Sequence, residues 1–144
     1  MERRDAAGTM ERDVRLDAGD AVLAGDLTVP ADASGVVVFA HGSGSSRHSP
    51  RNRAVAGALQ QAELATLLMD LLTGEEEAAD ARTGHLRFDI ALLARRLLGA
   101  ARWLSAQPAT RDLPWGCFGA SAGGGAAALT WPVRHWRGWR RRRC

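Results

Sequence analysis

The sequence has 144 residues, 46% of them hydrophobic, and a formal net charge of +3. This length suits one domain with a core of its own. All 19 cationic residues are Arg, and because a Walker A loop needs its lysine, the composition excludes phosphate binding of that kind. Residues 1–130 hold 13 Arg against 16 acidic residues, so this part has a net charge of −3 and the basicity belongs to the tail.

The cysteines and the N-terminal segment indicate where the protein functions. Cys117 and Cys144 lack metal-ligand spacing and form no disulfide framework, which fits a reducing compartment. No apolar run reaches the length of a membrane span, and residues 1–12 are charged and small, unlike a signal peptide. We therefore expect a cytoplasmic protein without a membrane span, and a flexible tail over residues 1–12.

The first half of the chain predicts an antiparallel hairpin followed by a central strand. Alternating apolar residues over 14–16 and 21–29 flank the turn residues 17–20, which is typical of a hairpin. Residues 36–40 form a continuous apolar run, as expected for a strand covered on both faces. The Gly/Ser-rich loop 41–52 follows at the carboxyl end of this strand, where α/β sheets place their sites.

Helices and strands alternate in the second half. Apolar spacing predicts a helix over 54–64, a buried strand over 65–70, a polar excursion over 71–87, an amphipathic helix over about 88–106 and a strand over 115–119. The alternation predicts an α/β fold. Its sheet is expected to be mostly parallel, with an N-terminal antiparallel hairpin and with helices on both faces.

Several charged residues admit both a surface and a functional interpretation. Three adjacent carboxylates, Glu75 to Glu77, cannot converge on one ion, so a solvated charge run is favoured over a metal site. Arg95 and Arg96 are expected on the solvent-facing side of their helix. The stretch 42–44 lacks the third glycine of a dinucleotide fingerprint, and Asp70 is interpreted as a strand-end residue near the rim of a site. The sequence thus predicts neither a metal nor a cofactor.

The stretch Gly119-Ala120-Ser121-Ala122-Gly123 joins the last predicted strand to a run of small residues that favours a helix. A GxSxG pattern between a strand and a helix is typical of a nucleophile elbow. The two glycines remove side chains that would collide with neighbouring backbone, and the first N–H groups of the helix lie where an oxyanion would develop. Ser121 is therefore the candidate nucleophile and the Ala122 N–H a candidate oxyanion donor. A tightly packed helix start is the alternative that the motif alone leaves open.

With His41-Gly42-Ser43-Gly44 after one strand and the Ser121 motif after a later one, the chain resembles the α/β-hydrolase superfamily, and in particular the bacterial dienelactone-hydrolase-like proteins. The similarity covers roughly residues 13–130 and includes the stretches 36–47, 86–90 and 118–121. It implies an incomplete α/β-hydrolase fold and hydrolysis of a small-molecule ester. It further implies that Ser121 is the nucleophile and that the backbone N–H groups of Ser43 and Ala122 form the oxyanion hole. Dienelactone hydrolases proper carry cysteine at the nucleophile position, so Ser121 favours a generic ester over a lactone.

The catalytic triad of this superfamily is only partly present. The acid and the histidine follow the serine in such enzymes, but residues 122–144 contain no Asp or Glu, and His135 comes too soon after the elbow. We therefore expect the activity of this chain to be absent or very slow. The resemblance implies that His41 braces its loop, with a catalytic base as the less favoured interpretation. His48 and His85 are expected at the surface, with a surrogate base as the less favoured interpretation of His48.

Residues 131–144 change composition abruptly, since they hold three of the five Trp and six of the Arg. A shifted reading frame accounts for this composition and would leave residues 13–130 as the N-terminal part of a longer hydrolase domain. One alternative is a basic aromatic arm that contacts nucleic acid, the less favoured partner, or an anionic surface. Another is a non-catalytic binding module that keeps the pocket without turnover.

Overall fold

The computed structural model describes residues 2–40, 46–86 and 89–119, which form a six-stranded sheet with three helices. The strands are β1 (Glu2–Arg4), β2 (Met10–Asp17), β3 (Val22–Val29), β4 (Val36–Ala40), β5 (Ala65–Met69) and β6 (Trp115–Gly119). The helices are α1 (Pro50–Gln61), α2 (Gly74–Thr83) and α3 (Ile90–Ala106). Within these described ranges, no helix combines the length and the apolar character that a membrane crossing requires.

The sheet is mixed, with the strand order β1-β2-β3-β5-β4-β6. β1, β2 and β3 form an antiparallel meander, and β3 also pairs antiparallel with β5. β4 lies between β5 and β6 and is parallel to both. α1 connects β4 to β5, and α2 and α3 lie between β5 and β6 in the chain. The predicted α/β class with an antiparallel N-terminal part is confirmed. The antiparallel pairing extends as far as β5, so three of the five pairings between the described strands are antiparallel, where a mostly parallel sheet was expected.

The two faces of the sheet bury different side chains, because successive residues of a strand point to opposite sides. The larger apolar cluster includes residues of α3 and of the sheet, such as Val38, Leu67 and Leu97. The smaller cluster consists of Ala56 from α1 and the strand residues Phe39 and Leu68. Since residues 38 and 39, like 67 and 68, are neighbours on one strand, α1 and α3 cover opposite faces. Helices on both faces are thus confirmed.

A short strand replaces part of the flexible tail expected for residues 1–12. β1 pairs with the start of β2, from Glu2 opposite Arg12 to Arg4 opposite Met10. Between the strands, the Asp5 carboxylate accepts the backbone N–H groups of residues 7 and 9, and Gly8 has a φ of +82°. An Asp followed by a Gly with positive φ is turn chemistry that the charged composition of this segment conceals.

The predicted hairpin is confirmed as β2 and β3, with Asp17 opposite Val22 at the turn. The Asp17 carboxylate accepts the Gly19 N–H at 2.8 Å, and Gly19 has a φ of +94°. The turn lies against α3 at Gly99, where an added Cβ would be 2.6 Å from the Cα of Ala18. The close approach of hairpin and helix therefore requires glycine at this position.

Capping side chains set the starts of α1 and α3. The Ser49 hydroxyl accepts the N–H of Asn52, and Pro50 occupies the first turn, where its missing N–H costs nothing. α1 consequently begins before the predicted start at residue 54. Asp89 caps α3 by accepting the Leu92 N–H at 3.0 Å, close to the predicted start at residue 88.

α2 lies within the segment expected to be an irregular polar excursion. Thr73 and Glu76 form a reciprocal capping box at its start, and Gly84 ends it in the left-handed conformation. The helix has no apolar stripe, and periodicity therefore could not reveal it. The cap residues were the available signal.

The expectation that Glu76 and Arg96 lie at the solvated surface is wrong. The Arg96 side chain is 3% exposed, and its Nη1 and Nη2 donate to the two carboxylate oxygens of Glu76 at 2.6 and 2.8 Å. Nη1 also donates to the carbonyl of Leu71. These partners compensate the buried charge, whereas the neighbouring Arg95 is exposed as predicted.

Candidate functional site

The carboxyl ends of β4, β5 and β6 meet at one edge of the sheet. Ala40, the last residue of β4, pairs with Gly119, the last residue of β6. On the other side of β4, Phe39 pairs with Leu68 near the end of β5. Because ligand sites of α/β sheets lie outside the carboxyl ends of the strands, this edge is the candidate functional site.

The residues predicted to do the chemistry lie outside the described part of the chain. Ser43 follows Ala40 by three positions, and Ser121 and Ala122 come two and three positions after Gly119. His41 and the tail 131–144 likewise fall outside it. Their roles stay predictions, and the described geometry concerns the strands from which these segments continue.

Arg47 anchors the chain directly after residues 41–45. Its backbone N–H and its Nε donate to the Asp70 carboxylate at 2.9 and 3.0 Å, and its Nη1 is 3.3 Å from Oδ1 of Asp26. Asp70 follows β5 directly, as predicted, and Asp26 belongs to β3. The Arg47 side chain is 22% exposed, so these charge-assisted hydrogen bonds hold more firmly than a surface ion pair.

Asp26 is the centre of a charge cluster on the α1 side of the sheet. Besides Arg47, Nη2 of Arg53 donates to its Oδ2 at 3.2 Å, and Asp13 lies directly opposite in the β2–β3 ladder. Burial and a hydrogen bond with the Asp13 carboxyl raise the pKa of Asp26, against the lowering effect of the two guanidinium groups. No single segment of the sequence marks these residues as partners, because the cluster depends on the register of β2 and β3.

The two described histidines lie at the surface, in agreement with the prediction. His48 is exposed, and its Nδ1 is 3.2 Å from Nη2 of Arg53. Because a guanidinium group can only donate, Nδ1 is the acceptor in this hydrogen bond. His85 is exposed in the turn that follows α2. The ring of His48 is therefore hydrogen-bonded to a residue of α1.

β6, which leads to the predicted elbow, contacts both faces of the sheet core. Cys117 packs against the cluster on the α3 side and is half-buried. Phe118 points to the opposite side, where its ring centroid lies 5.1 Å from that of Phe39 at an interplanar angle of 47°. This tilted ring contact fixes the end of β6 to the end of β4.

A groove of about 360 Å³ lies on the α1 side of the sheet, beside β2 and β3. It is bordered by Arg53 and Gln60 of α1 and by Asp13, Asp26 and Thr28 of the strands. Pockets for small molecules are mostly apolar with a few polar groups. Since this groove carries charges of both signs along its walls, we do not assign an ester site to it.

No family model matches the chain. Two proteins of Mycobacterium tuberculosis, from strains CDC 1551 / Oshkosh and ATCC 25618 / H37Rv, are each 56% identical to it over 119 residues, and both are provisionally named phosphoribosyl transferases. The match covers 83% of this chain and 26% of each relative. The chain therefore spans about a quarter of the length of these curated relatives.

Solved structures show a much closer correspondence in length. A dienelactone hydrolase from Anabaena variabilis is 60% identical with a TM-score of 0.82, over 85% of this chain and 56% of that one. A cold-adapted esterase from an Arctic intertidal metagenomic library has a TM-score of 0.63 at 15% identity, over 90% of this chain and 57% of that one. A dienelactone-hydrolase-like promiscuous phosphotriesterase from metagenomic libraries has a TM-score of 0.63 at 22% identity, over 85% and 53%. The last two, given their low identity, support the fold alone.

The strand order, the helices on both faces and these likenesses agree with one another. The chain thus has the α/β-hydrolase fold over about half of the length of its solved relative, and within that fold it is similar to the dienelactone hydrolases.

Proposed function

We propose that the protein is a serine hydrolase of the α/β-hydrolase type that cleaves a carboxylic ester through an acyl-enzyme. In this chain the reaction is expected to be very slow, because residues 122–144 contain no Asp or Glu and His135 comes too soon after the elbow. The observation that carries the proposal is the pairing of Ala40 with Gly119. Because of this pairing, the segments of Ser43 and Ser121 start from adjacent carboxyl ends of parallel strands. The 60% identity to a dienelactone hydrolase supports the reaction class.

In the proposed reaction, Oγ of Ser121 attacks the ester carbonyl and forms a new C–O bond. The tetrahedral oxyanion is stabilised by the backbone N–H groups of Ser43 and Ala122, and collapses with departure of the alcohol, which takes the serine proton. Water then hydrolyses the acyl-serine to a carboxylic acid and free Ser121. A serine at this position favours an ordinary ester over a lactone.

Phosphoribosyl transfer, the activity in the name of the mycobacterial relatives, is not proposed for this chain. The matched residues make up 26% of those proteins. They cover most of the chain, as does the 60% identical match to a dienelactone hydrolase. The part of the mycobacterial proteins that matches this chain is therefore the part that resembles a dienelactone hydrolase.

The proposal is tested with p-nitrophenyl acetate, by following both p-nitrophenolate release and acetylation of the protein in intact-mass spectra. We expect release by the wild type above that of Ser121→Ala, and one acetyl group on the wild-type chain where deacylation is slow. Ser105→Ala is the matched control, since its hydroxyl donates to the Ala101 carbonyl within α3. Equal release and equal acetylation in wild type and Ser121→Ala would leave a non-catalytic binding module as the function.

A further inference from the structure

The two ends of the described sheet differ in the character of their outermost strands. β1 consists of the charged residues Glu2–Arg4, all of them exposed. β6, at the other end of the strand order, carries the apolar side chains of Trp115, Cys117 and Phe118. Charged edge strands discourage the addition of further structure. Any further apolar layer is therefore expected beside β6 and not beside β1.

On the α1 side of the sheet, β6 presents a partly exposed aromatic ring. Phe118 is 42% exposed, although Phe39, which its ring contacts, is 1% exposed. Val37 of β4 faces the same side, because it is two positions before Phe39 on the strand, and it is half-buried. Single exposed apolar side chains are ordinary on protein surfaces, whereas contiguous ones mark interaction sites.

α1 extends this apolar surface on one of its flanks. Of its twelve residues, all of which are described, Ala56 alone is buried. On one side of Ala56, Arg53 and Gln60 hydrogen-bond to side chains of β3 and β5. Because successive residues of a helix are rotated by about 100°, Val55 and Leu59 lie on the other side, toward β4 and β6. Both are half-buried and pack against the smaller apolar cluster.

Val37, Val55, Leu59 and Phe118 together form what we call the Phe118 patch. They come from three elements and are joined by the smaller apolar cluster, to which Phe39 belongs. Full burial of a Phe, Leu or Val side chain is worth about 1.5–3 kcal/mol relative to its exposure. Covering the patch with another apolar surface is therefore favourable.

The solved relatives indicate what kind of structure fits such a patch. The match covers 56% of the dienelactone hydrolase from Anabaena variabilis, 57% of the Arctic esterase and 53% of the phosphotriesterase. Each of these folds therefore contains nearly as much chain again outside the matched part. Layers of an α/β domain bury the apolar faces of their sheet and helices against one another. The unmatched part of such a domain is thus a partner with the chemistry that the patch requires.

We propose that the Phe118 patch is a docking surface for the remaining part of a dienelactone-hydrolase-like domain, and that this partner binds as a separate polypeptide. The contact needs an apolar face, such as the stripe of an amphipathic helix, laid over Phe118 and the Val55 and Leu59 flank of α1. The charged groove at Arg53 lies on the other flank of α1 and stays outside the interface. This association goes beyond the proposed function, because it does not depend on the chemistry of Ser121.

Co-expression tests the docking surface with the full 144-residue chain. The probe is the part of the Anabaena variabilis dienelactone hydrolase that this chain does not match, carrying an affinity tag. We expect the two chains to co-purify in equal amounts, and Phe118→Ser to lower the affinity at least about tenfold in a titration of the purified parts. Leu98→Ser is the matched control, since Leu98 is similarly exposed, at 38%, but lies on α3, which covers the opposite face.

A wild-type chain that does not co-purify with the probe would overturn the proposal, and so would equal affinities for Phe118→Ser and Leu98→Ser. Should Phe118→Ser not fold, Val55→Gln tests the same patch, because glutamine is well tolerated in a helix. Cover of the patch by residues 120–144 would leave the probe unbound. Sedimentation of the wild type alone tests the remaining occupant: a dimer that Phe118→Ser dissociates would make a second copy the partner and contradict the proposal. None of these readouts involves ester hydrolysis, so failure of the docking surface and failure of the proposed function are distinguishable.

Discussion

Two glycines inside helices lie in opposite surroundings and test how closely the hairpin packs on α3. Alanine is favoured over glycine in a helix by about 1 kcal/mol, so Gly→Ala stabilises a helix wherever there is room. Gly57 of α1 has such room, because nothing lies within 4 Å of a Cβ built there. At Gly99 of α3, the new Cβ would lie 2.6 Å from the Cα and 2.8 Å from the Cβ of Ala18.

The contact at Gly99 involves backbone, which cannot rotate away as a side chain can. α3 and the hairpin turn must separate to admit the methyl group, and overpacking of this kind costs up to about 3 kcal/mol. After the gain of about 1 kcal/mol in helix propensity, we expect Gly99→Ala to lower the free energy of unfolding by about 2 kcal/mol. Gly57→Ala should raise it by up to about 1 kcal/mol.

Urea denaturation followed by circular dichroism measures both variants against the wild type. The midpoint should rise for Gly57→Ala and fall for Gly99→Ala, with an unchanged slope in each case. Similar shifts in the two variants, or a higher midpoint for Gly99→Ala, would refute the packing of the hairpin turn on α3.

Three further predictions concern charged groups. Arg47→Met removes the hydrogen bonds to Asp70 and Asp26 and should lower the free energy of unfolding by about 2 kcal/mol. The control Arg51→Met, at an exposed position, should change it by no more than about 0.5 kcal/mol. Equal urea midpoints for the two variants would argue against the anchoring role of Arg47. Asp13→Asn removes a like charge opposite Asp26 and should raise the free energy of unfolding at neutral pH by up to about 1 kcal/mol. The same change should lower the pKa of Asp26, which NMR titration of its carboxylate can follow. A lower free energy of unfolding at neutral pH would speak against repulsion between the two carboxylates. Hydrogen bonding to Arg96 holds the pKa of Glu76 at about 2, below its ordinary 4.5, so its stabilising effect is complete above pH 4.5 and is lost as the pH falls toward 2. The difference in unfolding free energy between wild type and Glu76→Gln should therefore be constant near neutral pH and shrink below pH 4.5, and a difference that persists unchanged in acid is inconsistent with the pair.

Local patterns were sufficient to predict β2 to β6, α1 and α3, but neither β1 nor α2. The continuous apolar run over β4 and the turn residues Asp17 and Gly19 of the hairpin each specify an element without reference to distant residues. α2 escaped prediction because its cap at Thr73 lies in a segment without an apolar stripe. The burial of Arg96 could not be read from α3 alone, since its carboxylate partner is on α2.

The candidate site follows the same division between local and long-range information. The apolar runs before the Gly/Ser-rich loop and before the GxSxG motif predict two strands, and β4 and β6 lie at these places. The anchor formed by Arg47 depends on the strand order β3-β5-β4, which brings Asp26 and Asp70 side by side. Strand order is a property of the whole sheet, and no spacing within one segment specifies it.

The identity of the nucleophile is tested most directly by labelling with a fluorophosphonate ester, which phosphonylates an activated serine hydroxyl with loss of fluoride. The adduct is located by tandem mass spectrometry of the digested protein. Because the triad is only partly present, we expect labelling to be slow but confined to Ser121, reaching at most one phosphonyl group per chain and absent in Ser121→Ala. Labelling that is unchanged in this variant, or spread equally over several serines, would contradict the assignment of Ser121 as the nucleophile of a serine hydrolase.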